Sequence, residues 1–504
     1  MYYITTSRPY TNALPHLGTV MDPIYADVYT RFRRQMGDKV FFSMGTDEHS
    51  FKIANRAVEL GLPPQEYANN QYELFDICFK SLDIQADNFI QSSDPKHKWT
   101  ANLIWNVLVE KNLIYKKKYS GLYCIGCEDF YAESQLAKGK CPVHFNLEIQ
   151  NVEEDNYFFK LTSFKTELIE YLNKVKINNP SIKIEMLNFV DDLKDISISR
   201  DKSRLEVAWG VVVEADPTNL MYVWFEALIT YLTPLIPDEL HENYLESDSD
   251  IKTTIEKEIF NIFKTELPQK LQVIGTDNSK FHLVIWPAIL IALDLPPIES
   301  LIIHGMVNDS EGKKFAKSLG NGIEYQEVVD KLGVEGVRFF VLNYCNSNSD
   351  TNFDWNKLIE NYNACFVKNL GNLVMRITTL IEKNLNGIID IEIDFVANID
   401  IDISKIYSEL ETLRPENASR QLFIEISKIN NYLEQTKPWA LAKNMEENRN
   451  KILEILSSAL LSLKSLLPAL SIFYPKAAER IDLVISSDLI QKSEILFERT
   501  EQVI

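Results

Sequence analysis

Two periods of apolar residues alternate along the first third of the chain. Tyr2–Thr6 is a β-branched and aromatic run that predicts a strand, and Val20, Ile24, Val28 and Phe32 recur at the spacing of a helix. Pro9, Asn12 and Pro15 make the stretch between them a loop. A second strand is predicted over Lys39–Met44, then helices over Gln65–Leu82 and Lys96–Lys111. This alternation builds a parallel sheet. The rhythm breaks between Cys124 and His144, and from Asn146 to Pro217 short segments follow one another without a long period. Strands are predicted again at Met221–Phe225, Leu271–Ile274 and Leu301–His304, with a charged helix over Ser247–Glu266. From Trp355 the pattern is almost continuously helical, with polar breaks near Gly387–Asp402, Arg414–Asn417 and Gln435–Pro438. The expected architecture is α/β: a split Rossmann-type parallel sheet carrying an insertion, followed by a C-terminal α-helical bundle. Residues 1–112 and 215–318 form the two halves of the sheet domain, 113–214 the insertion, 319–354 a linker and 355–504 the bundle.

Composition narrows the setting. With 504 residues, 45% hydrophobic and 25% charged, the chain suits a globular protein of several domains. Its longest apolar run, Leu283–Leu293, is too short to span a bilayer, and no leader pattern precedes the strand at Tyr2. The expectation is a cytoplasmic protein with no membrane contact. A net charge of −20 excludes nonspecific nucleic-acid binding by the surface as a whole. Any RNA contact must use local basic groups such as Lys116–Lys118 or Lys313, Lys314 and Lys317.

Three stretches carry candidate chemistry. A strand that turns into a helix N-terminus presents unpaired N–H groups to one spot, and His16, Gly18 and Thr19 lie there. A phosphate is the expected guest; the plainer alternative is a strand–helix turn with a surface histidine. The segment Glu311–Asn321, EGKKFAKSLGN, sets three lysines and Ser318 between glycines, either as a mobile clamp on a polyphosphate or as a solvated basic loop. Cys124 and Cys127 form one knuckle, and Cys141 and His144 form another. Three thiolates and one imidazole at that separation suit a closed, structural Zn²⁺ site, one per chain.

Taken together, the segments PYTNALPHLG, GTDEH (45–49), YVWFEAL (222–228), FHLVIWPA (281–288), KFAKS (314–318) and TKPWALAK (436–443) carry a resemblance. Along essentially its whole length the chain resembles the class I aminoacyl-tRNA synthetases, and within them the methionyl-tRNA synthetase family. His16-Leu17-Gly18-Thr19 stands at the family's HIGH motif and Lys314–Ser318 at its KMSKS motif. The resemblance implies activation of L-methionine by ATP with Mg²⁺, then transfer to tRNA(Met). It implies catalytic roles for His16, Lys314, Lys317 and Ser318, and ATP contacts from His16, Gly18, Thr19, Asp277, Lys314 and Lys317. It also implies a methionine pocket of Tyr10, Asp47, Trp224, Tyr231 and His282, with Asp47 pairing the α-ammonium. In the bundle, Asn372 and Arg376, one helical turn apart, and Trp439 after Pro438 match the family's anticodon readers. Read by themselves, Trp224 and Tyr231 could be plain core and Asn372 and Arg376 a solvated helix face.

The chain departs from the family pattern at several places. Thr19 replaces the second histidine of HIGH, Phe315-Ala316 replace Met-Ser, Glu226 replaces an aspartate, and Arg8 stands where an aliphatic residue is expected. Two other readings remain in view: a synthetase of the class acting on another amino acid, and a catalytically silent tRNA-binding paralogue. A monomer is the simplest expected state.

Overall fold

The computed structural model describes every residue except 13, 125–128, 132, 134–135, 138, 143–146, 206, 267–268, 314, 316–321, 390–398 and 502–504. At its centre lies a six-stranded sheet in which every neighbouring pair is parallel. Its order is Asn88–Gln91 (β3), Val40–Thr46 (β2), Tyr2–Thr6 (β1), Gln269–Gly275, Ser300–His304 and Lys176–Ile177. From β1 the chain winds outward through β2 and β3, and the strands after the insertion wind outward on the other side. The strand order therefore reverses between β1 and Gln269–Gly275, which is where open sheets of this kind keep their ligands. Gly45 in β2 permits the close approach of β3, since a Cβ there would lie 2.3 Å from the carbonyl oxygen of Ile90.

The predicted strands at 2–6, 39–44, 271–274 and 301–304 and the helices at 65–82, 96–111 and 247–266 appear within a few residues of those bounds. The strand over Met221–Phe225 does not. Only Asn219–Met221 is extended, pairing antiparallel with Ser199–Asp201, and Val223–Ile229 is a helix that buries Val223, Phe225, Leu228 and Ile229. An apolar run of five residues has no period long enough to tell strand from buried helix, and packing decides. Within 113–214 an antiparallel sheet of four strands (114–124, 129–131, 150–159 and 196–197) stands apart from the parallel one. The same stretch also lends Lys176–Ile177 to the edge of the parallel sheet beside Ser300–Leu301.

Helix Met21–Gln35 (α1) ties the sheet to the helices that follow Trp355. Ile24, Val28 and Phe32 share one apolar core with Phe42 and Val273 of the sheet and with Leu422, Ile426 and Leu460 of the bundle. Buried polar contacts reinforce that junction. Arg338 Nη2 pairs with Asp27 Oδ2 at 2.8 Å, and its Nε donates to the Phe473 carbonyl at 2.6 Å. The Tyr25 hydroxyl donates to Glu416 Oε1 at 2.5 Å. One helical stretch, Pro415–Phe473, is long and apolar enough by composition to cross a membrane, and 61% of its apolar window is buried within the protein.

Candidate active site

A cleft of about 310 Å³ opens at the C-terminal ends of the central strands. Three loops line it: Ser7–Tyr10 after β1, Asp277 and Asn278 after the next strand, and His304–Val307 after the third. His16, Gly18 and Thr19 form a further wall. Of the residues expected at the nucleotide, His16, Gly18, Thr19 and Asp277 are therefore brought together.

The His16 turn is closed by its own side chains. Thr19 N–H donates to the His16 carbonyl at 2.8 Å, and the Thr19 hydroxyl oxygen accepts the His16 N–H at 3.3 Å. Gly18 N–H donates to His16 Nδ1 at 3.1 Å, so the neutral ring carries its proton on Nε2 and is a hydrogen-bond donor there. The hydroxyl at position 19 thus serves the turn. Leu17 N–H donates to the Ile323 carbonyl at 3.1 Å, and His16 pairs with Glu324 as an isolated bridge. Phe315, within the lysine segment, donates its N–H to the Val307 carbonyl at 3.4 Å. The segment is thereby tied to the cleft at Phe315 and, just past its C-terminal end, at Ile323, while Lys314, Lys317 and Ser318 themselves lie outside the described residues.

Tyr10 lines the cleft and forms an isolated parallel bridge with Asp47, which is buried at the end of β2. Tyr231 and His282 lie beneath the cleft, 1% and 4% exposed. His282 Nδ1–H donates to the Asn278 carbonyl at 2.9 Å, which leaves Nε2 to accept the Tyr231 hydroxyl at 2.8 Å. Burial holds the His282 ring down to about 4, so it is neutral. Trp224 is half-buried against Phe281, ring centroids 5.8 Å apart, and is not part of the cleft wall.

Between the cleft and Tyr231 lies Arg8, itself 8% exposed. Its guanidinium stacks 4.8 Å from the Tyr231 ring centroid. It donates to Thr230 Oγ1 at 3.1 Å, to the Ser43 carbonyl at 3.2 Å and to Ser43 Oγ at 3.3 Å, with a longer contact to the Thr230 carbonyl at 3.5 Å. Burial lowers its pKa.

Two further groups lie outside the expected site residues, and of their members the sequence singles out only Glu226, as a departure from the family pattern. Asp22, in the first turn of α1, accepts from His304 Nε2 at 2.5 Å and also bonds Ser7 Oγ. His304 Nδ1 donates to the Gly305 carbonyl at 2.8 Å, so both ring nitrogens carry protons and the ring is a cation. Burial pushes His304 down, but the Asp22 carboxylate outweighs it and holds the ring above the usual histidine range. The second group surrounds Glu226, which is fully buried. It accepts from His49 Nδ1 at 2.9 Å and from His97 Nε2 at 2.8 Å, while His97 Nδ1 takes the Thr233 hydroxyl at 3.0 Å. Burial pushes Glu226 up and both rings down, His49 to about 3. A signal for both groups existed in the sequence, as LIIH ends a predicted strand and GTDEH ends another.

Two sites lie away from the cleft. Cys124 ends the strand Ile114–Cys124 and is buried, as is Cys141; Cys127 and His144 lie outside the described residues. In the bundle, Arg376 stacks 4.8 Å from the Trp439 ring centroid and pairs with Glu434 at 2.8 Å. Asn372 is exposed one turn earlier on the helix Asn372–Leu385.

Comparisons with known proteins agree with this geometry. The family model for tRNA synthetases class I (M) matches residues 2–152 and 145–378. A methionine–tRNA ligase of Caldanaerobacter subterraneus subsp. tengcongensis is 32% identical, over 99% of this chain and 79% of that protein. The enzyme of that name from Rickettsia bellii is 31% identical, over 95% and 91% of the two chains. Mycobacterium tuberculosis methionyl-tRNA synthetase bound by methionyl-adenylate superposes with a TM-score of 0.85 at 26% identity, covering 99% of this chain and 100% of that one. The match runs through the sheet, the insertion and the bundle, and the chain belongs to the class I tRNA synthetases of the methionine group.

Proposed function

We propose that the chain is a methionine–tRNA ligase, joining methionine to AMP and then to the 3′-terminal adenosine of tRNA(Met). The observation that carries this reading is the cleft at the reversal of strand order, in a chain that shares its fold end to end with a synthetase holding methionyl-adenylate. The methionine carboxylate attacks the α-phosphorus of ATP. One P–O bond forms, the bond to the β-phosphate breaks, and pyrophosphate leaves. A carboxylate needs no general base, so the site has to align the reactants and offset charge on the phosphates. His16 donates from Nε2, Gly18 and Thr19 bring backbone, and Asp277 takes the ribose. Lys314, Lys317 and Ser318 close on the phosphates from the far side, a placement supported by the anchoring of Phe315 at Val307 and of Ile323 at Leu17. Mg²⁺ carried by ATP would supply further positive charge at the phosphates. The ribose 2′-OH of the terminal adenosine then takes the methionyl group, and AMP leaves.

The amino acid lies against Tyr10, over Tyr231 and His282, with its ammonium on Asp47; Trp224, packed on Phe281 outside the cleft wall, would border it once that pair shifts. Cys124, Cys127, Cys141 and His144 hold a structural Zn²⁺, a reading supported by burial of the two described thiols. Asn372, Arg376 and Trp439 meet the anticodon; the Arg376–Trp439 stack supports this by placing a cation and a ring together on one surface. The protein works as a cytoplasmic monomer.

ATP–pyrophosphate exchange tests the first step, with methionine, leucine, valine and cysteine in parallel. Exchange is expected with methionine alone and about 100-fold weaker in Lys317→Ala, the usual scale for losing one charge-stabilising donor. Trp439→Ala is expected to keep exchange but lower charging of tRNA(Met) about tenfold, as the loss of one stacked base would. Absence of exchange with every amino acid, from folded protein, would leave a tRNA-binding paralogue.

A further inference from the structure

A buried guanidinium is costly unless its charge and its donors are answered. No carboxylate pairs with Arg8 among the described residues, and its partners are two hydroxyls and two carbonyls. Of its five N–H groups, four at most are used, so one Nη1 hydrogen has no acceptor among the described residues. The residue both lines the cleft and covers the ring of Tyr231, whose own proton is committed to His282. We propose that Arg8 is a specificity-determining residue of the amino-acid site, presenting a fixed cation and an unused donor to the end of the bound side chain. The inference rests on the methionine reading above.

The chemistry that answers such a wall is a side chain with lone pairs and high polarisability at its δ position. A thioether offers both, because sulfur is a weak but real acceptor and a soft, polarisable atom. The isosteric methylene of norleucine offers neither. A pocket lined only with apolar groups separates such near-isosteres poorly, whereas a buried donor left unpaired by the wrong ligand separates them well. Thr230 and Ser43 hold the guanidinium by three contacts of 3.3 Å or less, so its position is set before the amino acid arrives. The aliphatic residue of the family pattern would lack this means of selection.

The test is calorimetric titration of the full-length protein with L-methionine and with L-norleucine. Wild type is expected to bind methionine about tenfold more tightly than norleucine, the scale of one charge-assisted contact to a weak acceptor. Arg8→Leu is expected to bring the two affinities within about twofold, with ATP binding unchanged, and Arg8→Lys to restore part of the preference. Thermal melts of each variant establish that it is folded; Arg8→Gln, uncharged but able to reach Ser43 and Thr230, replaces Arg8→Leu should the latter not fold. Methionine binding with a preference that the uncharged variant leaves intact would overturn the assignment of Arg8 alone. Binding of neither amino acid by wild type would overturn it together with the methionine reading.

Discussion

Glu226 shows what a single methylene can do. Its carboxylate reaches both His49 and His97 inside the protein, so two buried ring donors depend on one acceptor. Glu226→Ala is expected to destabilise the fold by about 2–4 kcal/mol in urea titrations, since both donors lose their partner. His49 of this cluster and His282 beneath the cleft set an acid limit. His282 titrates near 4 and His49 near 3 in the folded chain, against about 6.5 in an unfolded one. As pH falls below about 6.5 the unfolded state takes up these protons first, so stability declines progressively toward pH 4 and below. His304 works in the opposite sense: its raised pKa stabilises the fold below about 6.5, an advantage lost as pH rises through its folded value. Glu226, raised by burial, acts in the same sense as His304, and His97, lowered, acts with His49 and His282. With two of the three lowered rings strongly shifted, a net fall is expected, visible as a decreasing melting temperature from pH 7 to pH 4. The sequence displays Thr19, Arg8 and Glu226 as departures from a pattern. The roles of Arg8 and Glu226 could not be read there, because a stacked guanidinium and a shared carboxylate are defined by partners more than a hundred residues away, and that of Thr19 depends on the turn its hydroxyl closes with His16.

At the scale of elements, period and length made the parallel sheet legible from Tyr2, Leu271 and Leu301, because buried strands are short apolar runs bounded by loops. Met221–Phe225 has the same look and folds mainly as helix, and Lys176–Ile177 is too short to carry any pattern at all. The antiparallel sheet of 114–159 is built differently. Lys116, Lys117 and Lys118 lie on a strand opposite Tyr157, Asn156 and Asp155, and the large apolar side chains buried among the described residues of these two strands, Ile114, Phe158 and Phe159, cluster at the end away from Cys124. A small sheet of this kind needs a staple. If zinc is that staple, metal analysis of the purified protein is expected to find one equivalent per chain, lost in Cys124→Ser. Chelation is then expected to expose this region to proteolysis while the parallel sheet stays protected.

For the molecule as a whole, the helical pattern after Trp355 announced a bundle but not its partner. Asp27 and Glu416 are both buried at the junction with α1, one on Arg338 and the other on Tyr25. Apolar periodicity says which face of a helix is covered and is silent about what covers it. Helix α1 begins beside His16 and gives the middle of its length to the bundle, so neither body has a finished surface without the other. A gene cut after residue 354 would make two half-proteins, each with a raw apolar flank; Glu416 would lose the Tyr25 hydroxyl, and Arg338, though still paired with Asp27, would lose the Phe473 carbonyl. Expressed singly, both are expected in the insoluble fraction; expressed together, they are expected to recover a soluble complex by complementation. Selection acting on either half would then be answerable to the other, as with two pieces sharing one dowel.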